Sequence, residues 1–263
     1  MSWLDRLRGR RPRDAQPPVD LWQHTLARVP IAHGLADESR ERLAGRAWAL
    51  MHRLRITSPV ELPWSEAQAL KLTTQVALMT LEWDKGFWPD VREVVVVPGP
   101  FRRHLVEEDE MGVVHELDDE RIGETFDHGP IVLSLEDVTS SGDWTGLNVI
   151  IHEFSHKLDM QHNGQADGRP PLPATISPAE WYRVFTSVWN DLQEHLERDD
   201  VTPIDEYAAT HPGECFAVCC EMFFTAPNQL SRVYPELYSL LTRYFNQDAL
   251  ARMPDRGLDS TRL

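Results

Sequence analysis

The stretch LNVIIHEFSHKLDMQHNGQADG, Leu147 to Gly168, constrains this 263-residue chain more than any other. It contains His-Glu-x-x-His at His152, Glu153 and His156, behind the apolar run LNVII. On an α-helix, positions i and i+4 lie about 40° apart around the axis and about 6 Å apart along it. Both imidazoles then reach one ion at the ~2.0–2.1 Å of a zinc–nitrogen bond. Glu153 sits where a general base toward water is needed. The plainer alternative is a pair of ordinary helical histidines, but the apolar run ahead of them favours a buried helix built for a metal. The spacing predicts a helix that starts after Thr145 and stops near the Asn163-Gly164 pair.

Two histidines make half a site, and three kinds of third ligand compete. Asp159 shares the helix face but stands about 10 Å up the axis from His152 on a short side chain. It is better placed to support a ligand histidine or to face solvent. His162 stands about 15 Å up the axis and reaches the ion only if the helix bends sharply after His156, where this chain has Asp159 rather than glycine. The third kind is a distant carboxylate. HPGECFAVCCEMFF, His211 to Phe224, reads as a helix with Pro212 in its first turn. Glu214, Ala217, Val218 and Glu221 share one side of it, and Phe216, Cys219, Cys220 and Phe223 the other. Small residues between two carboxylates suit close packing on another helix. Spacing alone does not choose between Glu214 and Glu221.

Elsewhere the pattern is helices, a few short strands, then helices. Residues 1–20 read as a flexible basic arm, with Trp3, Leu4 and Leu7 among five arginines. Residues 21–90 read as helical, with Ala69, Leu72, Val76, Leu78 and Leu81 at helical spacing. Residues 91–252 carry the metal motif, and 253–263 form a polar tail. Strands are expected at Val94–Val97, in GVVHEL and in GPIVLSLEDV. The acidic residues between Phe101 and Asp127 suit a solvated hairpin or loop. Further helices are expected from SPAEWYRVFTSVWNDLQEHLERDD and as one last helix from about Gln229 to Arg252. This order gives a mainly helical α+β fold with a small β-sheet beside the HExxH helix, not a doubly wound sheet.

Lys and Arg total 26 against 42 Asp and Glu, a net charge of −16. Phosphate backbones repel such a chain, so direct nucleic-acid binding is not expected. The three cysteines, Cys215, Cys219 and Cys220, fall in one segment and form no disulfide framework. They read as small buried hydrophobes in a reducing compartment. No apolar run approaches the ~20 residues of a membrane helix. The first residues have no apolar secretory core, and Arg10-Arg11 is followed by Pro-Arg-Asp, so a cytoplasmic location is expected.

HEFSHKLDM, DEYAATHPGECFAVCCEMFF and GPIVLS together resemble the Mlc titration factor A family of bacterial zinc peptidases. The catalytic part of that family is similar to the lethal-factor type of gluzincin. The resemblance covers about residues 60–250 and implies a zincin-like catalytic region. It implies Zn2+ held by His152, His156 and Glu214, with Glu153 as general base and Tyr207 as a transition-state helper. It adds His115, on the strand-rich stretch before the motif helix, as a further metal residue. It implies hydrolysis of peptide or protein substrates, aminopeptidase-like. It also implies binding of a transcriptional repressor of sugar uptake, and the alternative to catalysis is a protein that only sequesters that repressor. The cysteines of ECFAVCCE and the presence of His162 depart from the family pattern.

Overall fold

The computed structural model describes residues 16–83, 91–99, 103–108, 114–119, 123–125 and 129–254, with the backbone alone for the three short segments between 103 and 125. Three helices come first: α1 (Val19–Leu26), α2 (Asp37–Arg53) and α3 (Glu66–Met79). A capping box starts α3: the Gln68 amide donates to the Ser65 hydroxyl at 3.3 Å and the Ser65 amide to the Gln68 side chain at 2.8 Å. Every residue from Ala69 to Met79 is buried, so α3 runs through the core rather than along its edge. Its polar residues are satisfied inside. Thr73 and Thr74 donate back to carbonyls one turn earlier, and Lys71 donates to the Thr139 carbonyl.

The strands are β1 (Arg55–Thr57), β2 (Glu93–Val97), β3 (Arg103–Glu108), β4 (Val114–Asp119), β5 (Gly123–Thr125) and β6 (Ile131–Ser134). One mixed sheet has the order β1-β2-β6-β5, with β1, β2 and β6 parallel and β5 antiparallel to β6. Val94 and Val96 point into the core from β2, and Ile131 and Leu133 from β6. β3 and β4 pair separately and antiparallel. GPIVLSLEDV is only partly strand. The Ser134 hydroxyl accepts the Asp137 amide at 3.0 Å and turns the chain into a short helix, α4 (Leu135–Ser140).

The motif helix is α5 (Val149–Asp159), capped at Asn148, whose side chain accepts the Ile151 amide at 3.1 Å. It starts later than the apolar run implied because Asn148 is extended at φ −160° and serves as the N-cap. After α5 come α6 (Pro178–Glu197), α7 (Pro212–Thr225), α8 (Pro227–Val233) and α9 (Pro235–Phe245). The single last helix expected from Gln229 to Arg252 is broken twice. Pro235 brings no N–H and leaves Tyr234 non-helical at φ −130°, and Asn246 ends α9 in the left-handed conformation at φ 51°. Both faces of α7 are packed: all of Gly213–Thr225 is buried, the two glutamates included, as the small residues between them suggest. One hydrophobic core runs from Val29 to Ala249, so α3, the sheet and α5 to α9 share it. Among the described residues no helix is long and apolar enough to cross a membrane.

The turn after α5 is folded back onto the start of α7. The buried Asp159 carboxylate accepts the Gly168 amide at 2.7 Å. Gly168 has φ +77°, and a Cβ there would lie 2.9 Å from the Pro212 carbonyl. A Cβ on Gly213 would lie 2.2 Å from the Ala166 carbonyl oxygen. Backbone meets backbone at both points, so neither side has a flexible tip to move. Gly213→Ala should therefore push the start of α7 away from the turn and lower stability by about 1–3 kcal/mol, measured by denaturant unfolding. Burial pushes the Asp159 carboxyl up to about 7 from its ordinary 3.8, against the lowering effect of the Gly168 amide. The folded state then holds this proton more tightly than the unfolded chain, so this group's contribution to stability falls as pH rises from about 4 to 7. Asp159→Asn removes that dependence. Its stability relative to the natural protein should climb over the same pH range, by a few kcal/mol at most, and level off above pH 7.

Candidate metal centre

α5 presents His152 and His156 on one side, one turn apart, with ring centroids 4.9 Å apart. α7 packs across that side with its Glu214–Glu221 face, and the small Ala217 and Val218 between the two carboxylates allow the approach. The outcome is a tight triangle. His152 Nε2 lies 3.1 Å from Glu214 Oε2, His156 Nε2 lies 3.3 Å from the same oxygen, and the two Nε2 atoms are 3.2 Å apart. A tetrahedral ion with bonds of about 2.0–2.1 Å sets its ligand atoms about 3.3 Å apart. The three side chains therefore already have the separation and the donor types of one face of such a site. Among the described residues they are the group of His, Cys, Asp and Glu close enough to share an ion.

The second carboxylate of α7 is on the other side of the same ring. Glu221 Oε2 lies 3.3 Å from His152 Nδ1, and Glu221 Oε1 accepts the backbone amide of Asn148. Asn148 donates its side-chain amide to Gln75 of α3 at 2.7 Å. His152 is thus held between two carboxylates. Burial works to push its pKa down, but the hydrogen bonds to Glu214 and Glu221 overcome this and hold it up at about 10. Burial likewise works to raise the Glu214 carboxyl, and the two imidazoles against it hold it well below the usual carboxylate range. Each partner keeps the other charged, so the pocket is built for positive charge beside Glu214. His156 differs: among the described residues its buried Nδ1 has no hydrogen-bond partner.

Glu153 is buried beside His152 and adds to the negative potential around it. Tyr207 comes from a 3-10 turn, Glu206–Ala209, that the Asp205 carboxylate caps by accepting the Tyr207 amide at 2.9 Å. Its ring centroid is 6.2 Å from that of His152. The structure brings His152, Glu153, His156, Tyr207 and Glu214 together. Asp159 is neither a surface charge nor aimed at the trio; it anchors the turn to Gly168. His162 is exposed beyond the end of α5. The three cysteines are free and buried, and none belongs to the trio. His115 lies on β4, opposite Glu107 in the hairpin register, and its side chain falls outside the described residues. Asn148 and Gln75 were not expected at the site. An Asn four residues before the first motif histidine is a visible N-cap signal, whereas nothing local marks Gln75.

A cavity of about 1140 Å³ adjoins this region between the 167–178 segment and α6. Trp181, Phe185, Trp189 and Leu172 supply apolar walls, and Pro212 and Cys215 border it beside Glu214. The trio itself does not line it.

Comparison with known proteins places these residues in context. The family model described as glucose-regulated metallo-peptidase M90 matches residues 3–246. The chain is 35% identical over 247 residues to Mlc titration factor A of Pectobacterium atrosepticum, covering 91% of this chain and 92% of that one. It is 34% identical over 249 residues to the protein of the same name from Edwardsiella ictaluri, covering 92% and 95%. The Escherichia fergusonii protein of that name is 34% identical over 252 residues, covering 92% and 90%. With the match running through the motif helix, Tyr207 and Glu214, the chain belongs to the glucose-regulated metallo-peptidase M90 family.

Proposed function

We propose that this protein is a zinc-dependent peptidase that hydrolyses peptide bonds, with the aminopeptidase-like preference that the family resemblance implies. One observation carries the reading: three ligand atoms, His152 Nε2, His156 Nε2 and Glu214 Oε2, stand 3.1–3.3 Å from one another beside a buried glutamate. Two imidazoles and one carboxylate suit zinc better than the harder magnesium or calcium. When bound, the ion supplies Lewis acidity toward a peptide carbonyl and toward water. Glu153 takes the proton from the attacking water and passes it to the leaving amine. The Tyr207 hydroxyl donates to the oxyanion that develops on the carbonyl. Both histidines would hold the ion through Nε2, so its binding would replace the positive charge that Glu214 and Glu221 otherwise keep on His152.

A second reading has support of its own. The relatives are named for the titration of Mlc, and the resemblance implies binding of a transcriptional repressor. The net charge of −16 suits a partner with a basic DNA-binding face. Both roles are compatible on one chain.

Purified protein should contain close to one zinc per chain, and Glu214→Ala should lose it. Glu153→Gln should keep the zinc while kcat/KM on a peptide library falls by about 10²–10⁴. Tyr207→Phe should keep both zinc and KM and lose about 10²–10³ in kcat. A Glu153→Gln protein that holds zinc and cleaves at the natural rate would sink the mechanism. His115→Ala decides the remaining ligand: retained zinc removes His115 from the site. A repressor pull-down with the natural protein and Glu153→Gln separates the two readings. Binding by both forms, without cleavage by either, favours the regulatory one.

A further inference from the structure

Glu221 is buried, contacts no atom of the triangle directly, and touches two things that set its geometry. Its Oε2 faces His152 Nδ1 at 3.3 Å, on the side of the ring away from Glu214. Its Oε1 accepts the backbone amide of Asn148, the residue that caps α5. The Asn148 carbonyl in turn accepts the His152 amide at 3.0 Å, in the first turn of the helix. One carboxylate therefore holds both the ring of His152 and the backbone turn that carries it.

We infer that Glu221 is the positioning residue of the metal centre: it keeps the proton of His152 on Nδ1 and the Nε2 lone pair aimed at the ion. A neutral imidazole carries one N–H, and which nitrogen bears it is decided by the partner of the other. Both carboxylates flanking His152 accept only, so with an ion in place at Nε2 beside Glu214 the one remaining proton stays on Nδ1, facing Glu221. The negative charge also raises the basicity of the ring toward a cation and sits favourably at the N-terminus of α5. The role extends to α3, because Asn148 is braced by Gln75 at 2.7 Å and Gln75 donates to the Lys71 carbonyl at 3.3 Å. His156 has no such partner on its Nδ1 among the described residues, so His152 is the histidine whose geometry is enforced.

This inference rests on the proposed metal site, and its test keeps the two apart. Zinc affinity is measured by chelator competition on the natural protein, Glu221→Gln and Glu221→Asp, alongside thermal unfolding and the ¹⁵N resonances of His152. In Glu221→Gln the amide keeps its shape and can still accept from Asn148, but it turns an N–H toward Nδ1–H. Zinc affinity should fall about 10–100-fold while the unfolding temperature of the metal-free protein stays within a few degrees. The Nδ1–H signature of zinc-bound His152 should shift or vanish. Glu221→Asp keeps the charge one methylene further back and should lie between the two, which provides the test if Glu221→Gln fails to fold. Affinity within twofold of the natural protein in the variant that folds, with the His152 signature unchanged, overturns the role of Glu221. A natural protein that takes up no zinc overturns the metal reading itself, and this inference with it.

Discussion

The packing of α7 across α5 is the constraint on which the rest of this molecule depends. It buries two glutamates and His156, and most of His152, where water screens them little. A buried carboxylate costs several kcal/mol unless charge or hydrogen bonds compensate it. Here the compensation is mutual: Glu214 and Glu221 face opposite nitrogens of His152, and each helix is held by what the other presents. The same contact leaves three ligand atoms converging beside Glu153, so the surplus charge is negative where a cation fits.

Such closeness between helices is set by what surrounds it. Gly213 lets the start of α7 meet the turn at Ala166, and Gly168 lets that turn meet Pro212. Asp159 closes the turn from the end of α5. At the other end, Asn148 joins Glu221 to Gln75 on the buried α3. α3 is thus part of the support of the site, although no residue of it belongs to the triangle.

Local patterns were readable where local physics decides them. The motif helix and the valine strand β2 follow from periodicity, whereas the cap at Ser134 that turns GPIVLSLEDV into a helix was not read from the letters. Element ends were less so. The break at Pro235 was visible in the letters, yet the apolar spacing on either side reads as one helix. The short strands β1 and β5 exist only by pairing with β2 and β6, which no local window contains. Close packing of the Glu214–Glu221 face was legible in its small Ala217 and Val218, but which helix it meets, and in what register, was not, for the same reason.

By itself the sequence determined that His152 and His156 share a helix face with Glu153 between them, because helical spacing is a property of the chain's own repeat. It also placed Asp159 too far along that helix to reach the ion and left His162 dependent on a bend; in the structure the helix ends at Asp159 and His162 is exposed beyond it. Only the tertiary structure decided between the carboxylates. Glu214 and Glu221 are seven residues apart, about two turns and about 10.5 Å along one face. From the letters alone, either could face the ion. The angle and register of α7 on α5 put Glu214 at Nε2 and Glu221 at Nδ1, and contacts between distant segments are set by the packing of the whole core.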